Sequence, residues 1–459
     1  MLTQSNSVAL RSTLKSGLPL LFFGLVLLAA NSATAQFSAN ALIGDSVSNP
    51  DDDRYSDVSE AIKRFANGDQ LSARTFLERA VEKSPKLPPV GVLMVKLQLL
   101  SGRTQNLSQA LEQAVQDDSA NDPEPYLLLA EQALAGGRII EADALFDKAV
   151  KKIEEYSSNA RRKRLFQIRA YRGRSIVSDR RKDWDQAESD LRNWIELDPD
   201  AASAYSRLGQ TLFMQGSETE GYKAFVKAKQ LDDSIQSPYI SAARMYDRLG
   251  ETGKAMSAFA EGFKQSSTDE NTLVFYAQAL LKARDSSKAE TVLRKARQEA
   301  PTSTNVWLLS AVASRMAGDA ATAEQQLLRA LALAPSNRDV LNQLAQVLVN
   351  SEDATSKQRA LSFATMNAQI NGKNPDVNIT LAWVLYQNGR AREATQVIRE
   401  RVQATSLLSP DGSLLLAKML LAVNKTDDAK RILQSALEND QGKGIFVSKD
   451  EAQTLLSGL

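Results

Sequence analysis

Ten cations crowd into 22 residues of this chain: Arg161, Arg162, Lys163, Arg164, Arg169, Arg172, Arg174, Arg180, Arg181 and Lys182, with Asp179 the only carboxylate among them. Guanidinium groups at this density suit the oxygens of an acidic polysaccharide, phospholipid headgroups or an acidic protein surface. A second reading fits the same residues, namely a solvated helix face whose charges are met by Glu154, Glu155, Asp183 and Asp185. Nothing comparable points to catalysis. The chain has no His and no Cys. That removes the imidazole of catalytic triads, thiolate and imidazole metal ligands, disulfides, and any thiol that would carry a lipid. Asp51, Asp52 and Asp53 lack the alternating oxygens of a calcium loop. No cofactor and no metal site is therefore expected, and function should come from recognition rather than reaction.

The elements that must position these residues are helical. Aromatic residues make up only 6% of the 459, so a core has to be built mainly from Ala and Leu, which favours helices packed closely on helices. The 56 basic and 55 acidic residues nearly cancel, which argues against nucleic acid or an anionic membrane as the main partner. Before the helices, Arg11 and Lys15 precede an apolar run from Leu18 to Ala30, followed by Ala33 and Ala35. This resembles a secretory signal cleaved after Ala35, because thirteen apolar residues span only about 20 Å as a helix against about 30 Å of hydrocarbon. The expectation is export to a periplasmic or secreted location, with no stable membrane insertion once residues 1–35 are removed. Residues 36–53 are polar and aperiodic and read as a flexible lead-in.

From there a period of 34 residues takes over. Tyr171, Tyr205, Tyr239, Leu273, Trp307 and Leu341 fall on one series; Ala187, Gly221, Ala255, Ala289 and Ala323 on a second; Leu191, Phe225, Phe259, Leu293 and Leu327 on a third; and Pro199, Pro301 and Pro335 on a fourth. Within residues 304–337, Trp307, Ala311 and Ser314 share one helical stripe and Ala323, Leu327 and Ala330 another, with Gly318 and Asp319 breaking the pattern between them. The unit is helix, tight turn, helix, then a turn marked by Pro335.

A large residue, a small one four places on, then Ala, Phe or Leu, Ala and Pro at these offsets resemble the tetratricopeptide repeat. The resemblance implies an all-α, right-handed α-solenoid of about ten to eleven helix-turn-helix units over residues 54–443, with a degenerate unit near 89–122 and insertions near 157–167 and 350–356. In residues 444–459, Ser448 with Glu451 three places later is a capping-box pattern opening a terminal capping helix.

The family's first helices line a recognition face. Carried onto this chain, its inward positions fall on Arg169, Arg172 and Arg180, on Gln210, Phe213 and Met214, and on Arg244, Asp247 and Arg248. They continue through Asn271, Gln278, Asn305, Arg315, Asn342, Gln346, Trp383 and Tyr386. Amides, guanidinium groups and aromatic rings in such a row suit an extended peptide or a glycan. The resemblance thus implies a non-enzymatic protein–protein interaction scaffold. Combined with the export signal, it suggests part of an envelope assembly or polysaccharide-export machine. Direct binding of an anionic polysaccharide or peptide is the alternative, and an enzyme with a site hidden in the solenoid is a third reading.

Overall fold

A computed structural model describes residues 38–103, 105–116, 122–402, 408–438 and 444–459; the signal-like segment ending at Ala35 lies outside them. The described residues are helical, without a strand, in two units divided at Pro199.

The first unit comprises α1 (Ala39–Ile43), α2 (Ser56–Ala66), α3 (Gln70–Lys83), α4 (Val90–Leu100), α5 (Leu107–Gln116), α6 (Glu124–Ala135), α7 (Ile139–Glu155), α8 (Ala160–Arg181) and α9 (Trp184–Leu197). From α2 onward they pair as four hairpins, each packed on the next. The residues expected to be a flexible lead-in are packed from Ser38 on: Leu42 and Ile43 are wholly buried against α2 and α4, and Asp45 meets Lys96 at 2.8 Å. Two large apolar side chains and one ion pair offset the entropy of ordering this short polar stretch. The extra residues near 157–167 lengthen α8 at its N-terminal end to 22 residues.

The second unit begins with α10 (Ala202–Met214), α11 (Glu218–Leu231), α12 (Pro238–Arg248), α13 (Thr252–Gln265), α14 (Glu270–Lys282), α15 (Ser286–Glu299), α16 (Thr304–Met316) and α17 (Ala320–Leu333). It continues with α18 (Arg338–Val349), α19 (Ala354–Asn371), α20 (Pro375–Gln387), α21 (Ala391–Arg401), α22 (Pro410–Leu421), α23 (Thr426–Glu438) and α24 (Lys449–Ser457). Seven hairpins stack in order, and α24 closes on α22 and α23. First helices of successive hairpins also touch, as in α14 with α16, α18 with α20 and α20 with α22, forming a row.

The repeated small residues set how closely each hairpin closes. In α10 and α11 a Cβ on Gly209 would lie 2.5 Å from the Phe225 ring and 2.9 Å from the Gly221 carbonyl oxygen, so nothing larger than hydrogen fits there. Phe213 and Phe225 stack beside that contact at 5.6 Å. Most hairpin turns hold one residue in the left-handed region, which Gly supplies at least cost. Gly216, Gly250 and Gly318 do so, but Lys182 (φ 61°) and Arg284 (φ 59°) occupy the same place in their repeats. The following Asp then caps the second helix, as Asp183, Asp285 and Asp319 accept backbone N–H groups at 3.2, 3.2 and 3.0 Å.

Candidate partner-binding site

In the first unit most of the cationic run is spent on groups of the protein itself. Arg162 is 1% exposed; its Nη1 donates to Asp122 at 2.6 Å and to the Tyr156 hydroxyl at 3.0 Å, and its Nη2 donates to Glu124 at 2.8 Å. Arg169 bonds Glu124 at 3.1 Å and Glu131 at 2.8 Å, and Arg172 approaches Glu131 at 3.9 Å. With Lys96 and Asp45 the cluster holds four cations against four carboxylates and ties α4, α6 and α8 together. Burial alone would raise the Glu124 carboxyl, but Lys96, Arg162 and Arg169 override it and hold it at about 2. Burial dominates at Asp122 and pushes its carboxyl up despite Arg162.

The rest of the run follows suit. Arg164 donates to the Leu197 carbonyl at the end of α9, Arg174 reaches Asp190 at 3.5 Å, and Arg181 pairs with Asp143. Arg162 is thus an interior residue and not a surface ligand, and the carboxylates that meet the run come chiefly from α6, α7 and α9. Of these, sequence reading had named none. Arg161 and Arg180 stay exposed, as does Lys182.

In the second unit the inward positions divide. Arg244, Asn271, Gln278 and Asn305 are exposed on α12, α14 and α16; the three amides make no side-chain hydrogen bond among the described residues, and the Arg244 guanidinium lies 4.8 Å over the Phe275 ring. Phe213 instead points into the core beside Phe225 and Tyr246, because its ring fills the space left by Gly221. Further along, Arg315 donates to Gln343, Gln346 donates to Thr380 at 3.1 Å, and Trp383 stacks on Tyr386 at 6.0 Å. Gln346 and Trp383 are each 7% exposed, so they are structural here and not open to a partner. Asn342 is half-buried, with its Oδ1 lacking a hydrogen-bond partner.

The chain's own segment from residue 444 lies beside this end of the row, with Ser448 and Glu451 lining one cavity with Arg315, Gln346 and Trp383. Ile445 and Val447 pack into the core of α12 to α16, while Phe446 turns the opposite way into the core of α22 to α24. Asp411 accepts the backbone N–H groups of Val447 and Ser448 at 3.0 and 2.9 Å, and burial raises its carboxyl. Arg284 donates to the Phe446 carbonyl at 3.2 Å and to Asp450 at 2.6 Å, and Lys418 pairs with Glu451. The expected capping box does not form: the Ser448 side chain caps nothing, because Asp411 takes the free N–H groups and Lys418 draws Glu451 away. Arg315, Gln346, Trp383, Asp411, Lys418 and Glu451 enclose a polar cavity of about 30 Å³. Sequence reading found the first three and missed the rest; the available signal was Arg284 standing where neighbouring repeats have Gly.

A second cavity, about 870 Å³, opens between α11, α12 and α13 and is lined by Tyr222, Tyr239 and Tyr246 among others. Its rim charges are paired, Lys254 with Glu218 at 2.8 Å and with Glu251 at 2.7 Å. Burial, then the contact with Tyr239, raises the Tyr222 phenol, so that ring stays neutral and offers stacking surface.

A family model for the tetratricopeptide repeat matches residues 179–234 and 277–338, the stretches that include the hairpins α10/α11 and α16/α17. These stretches carry tetratricopeptide repeats. No curated protein matches its sequence. Among solved structures it is similar to a tetratricopeptide repeat protein from Parabacteroides merdae, at 15% identity over 63% of this chain and 98% of that one, with a TM-score of 0.35. It is similar also to yeast Tom70, at 14% identity over 88% and 95% with a TM-score of 0.38. A Pseudomonas aeruginosa pilF structure matches at 19% identity over 52% and 95%, with a TM-score of 0.30. Similarities this distant carry no information about partners. Tetratricopeptide repeats as a family bind protein partners, and among the described residues no cluster of His, Cys, Asp or Glu is placed to hold a metal ion.

Proposed function

We propose that this tetratricopeptide-repeat chain is a non-enzymatic protein–protein interaction scaffold, exported to the cell envelope, where it holds together members of an envelope assembly or a polysaccharide-export machine. The observation that carries the scaffold reading is the row of Asn271, Gln278 and Asn305, exposed amides on successive first helices with no internal hydrogen bond. Such groups cost little in water and reward a partner backbone that aligns with them. The signal-like segment ending at Ala35 supports export, with a mature chain beginning at Gln36. Direct binding of an anionic polysaccharide has less to draw on, since Arg162, Arg169, Arg174 and Arg181 are occupied by carboxylates of the same unit.

Affinity purification of the mature chain from its own envelope fraction tests the reading. A specific protein partner is expected, lost when Asn271, Gln278 and Asn305 are changed together to Ala and retained when Arg180 is changed to Gln. A chain recovered with Met1 intact from the cytoplasm would remove the export part of the proposal.

A further inference from the structure

Capping the last hairpin requires only that α24 cover α22 and α23, and its Ala452, Leu455 and Leu456 do so. The residues just before and at the start of α24 do more than capping requires. Ile445 and Phe446 lead into the turn at Val447 and Ser448 that opens α24, and the three side chains divide between two cores. Accordingly Phe446 seals one core while Ile445 and Val447 seal another. The main chain is gripped independently of side-chain identity, by Asp411 accepting two N–H groups and Arg284 donating to the Phe446 carbonyl. Two cations, Arg284 and Lys418, then meet the two carboxylates of Asp450 and Glu451.

That combination of backbone hydrogen bonds, alternating apolar sockets and a basic end is how a peptide-binding row grips a ligand. Arg284 marks the role further. It holds φ 59° at the turn position where Gly216, Gly250 and Gly318 hold theirs, so this repeat keeps a strained residue whose side chain is spent entirely on the segment. The grip is also incomplete: Arg315 lies beside a polar cavity of about 30 Å³, space for a water or two, and makes no ion pair among the described residues.

Resting on the scaffold reading, we propose that the segment from Ile445 to Glu451 is an internal ligand of the first-helix row, occupying the site where a partner protein inserts a segment of the same chemistry, alternating apolar side chains followed by two carboxylates. Partner binding and release of the segment are then one competitive exchange. The partner's affinity is reduced by the fraction of time the site is occupied from within.

The test uses the whole chain and a labelled synthetic peptide of residues 444–459, with binding read by fluorescence anisotropy and release read by hydrogen exchange at residues 444–451. Asp450→Asn removes the segment's ion pair with Arg284, and Phe446→Ala withdraws one apolar anchor, both on the segment and leaving the site that grips it unaltered. Both variants should exchange faster at 444–451 and bind the peptide at least tenfold more tightly than the unaltered chain. A peptide carrying Asn and Gln in place of Asp450 and Glu451 should lose tenfold. A segment that loosens in either variant without capture of the peptide overturns the proposal, as does a segment that loosens in neither. An envelope partner that binds the unaltered chain and Phe446→Ala equally would remove this inference while leaving the scaffold reading intact.

Discussion

Arg284 Nη2 and Asp450 Oδ2 stand 2.6 Å apart although 166 residues separate them along the chain. A stack in which each hairpin touches only its neighbours has no such contact. The pair therefore shows that the second unit is joined to itself across several repeats, and the behaviour of variants should reveal it.

Phe259 is 4% exposed and shares a core with Tyr276, Leu293 and Val447. Phe259→Ala should cost roughly 3–5 kcal/mol. Hydrogen exchange should rise through residues 236–303, as nearest-neighbour coupling requires, and also at residues 444–451. Exchange that rises at 236–303 alone would mean the long-range join carries no energy.

Arg162 and Arg180 belong to one charge run but should respond oppositely. Arg162→Gln leaves Asp122 and Glu124 buried without their nearest cation, so the first unit should lose roughly 3–5 kcal/mol by urea denaturation. Arg180 is exposed, and Arg180→Gln should change stability by no more than about 0.5 kcal/mol. Equal effects would contradict the buried network.

Acid should destabilise the first unit in a defined window. Glu124 is held at about 2 in the fold against an ordinary 4.5, so its contribution is complete above about 4.5 and lost as the pH falls toward 2. Asp122 works in the opposite sense, since its raised carboxyl favours the folded state as it takes up a proton. Thermal melts across this range should show a falling limb on the order of 3 kcal/mol for Glu124, flattened in Glu124→Gln.

Lys182 is exposed and holds φ 61°. Lys182→Gly removes a left-handed strain of roughly 1–2 kcal/mol against an entropic cost of roughly 0.5–1 kcal/mol. A net gain of about half a kcal/mol is expected as a rise in the urea midpoint. A lower midpoint would show that Lys182 makes a contact worth more than the strain.

The repeat itself was legible because its signal is periodic. Ala187, Gly221, Ala255, Ala289 and Ala323 recur every 34 residues for one reason, close helix approach, and all are buried. The inward row was legible only as positions. Family register picks out Gln346 and Trp383 as readily as Asn271, yet the former pair is buried, Gln346 on Thr380 and Trp383 among the neighbouring helices. The Arg162 network escaped for a related reason: its partners Asp122 and Glu124 sit 40 and 38 residues away, and a local reading of charge looks to neighbours such as Glu154 and Asp183. Periodicity reports what every repeat does, and is silent on what one repeat does alone.

The alternating contacts of Ile445, Phe446 and Val447 bear on how the second unit comes together and comes apart. A plain stack frays like a zipper, one hairpin at a time from either end. Here the last hairpin is stitched back to α14, so the repeats between them form a closed circuit, and opening any one of them strains the stitch. Loop-closure entropy grows slowly, by only about 0.6 kcal/mol per doubling of length, so drawing that circuit shut costs little more than closing a much shorter one. The stitch is made by residues that leave the ribosome after every hairpin it joins. The second unit must therefore exist first as an open stack and become a circuit only once residues 445–451 have emerged.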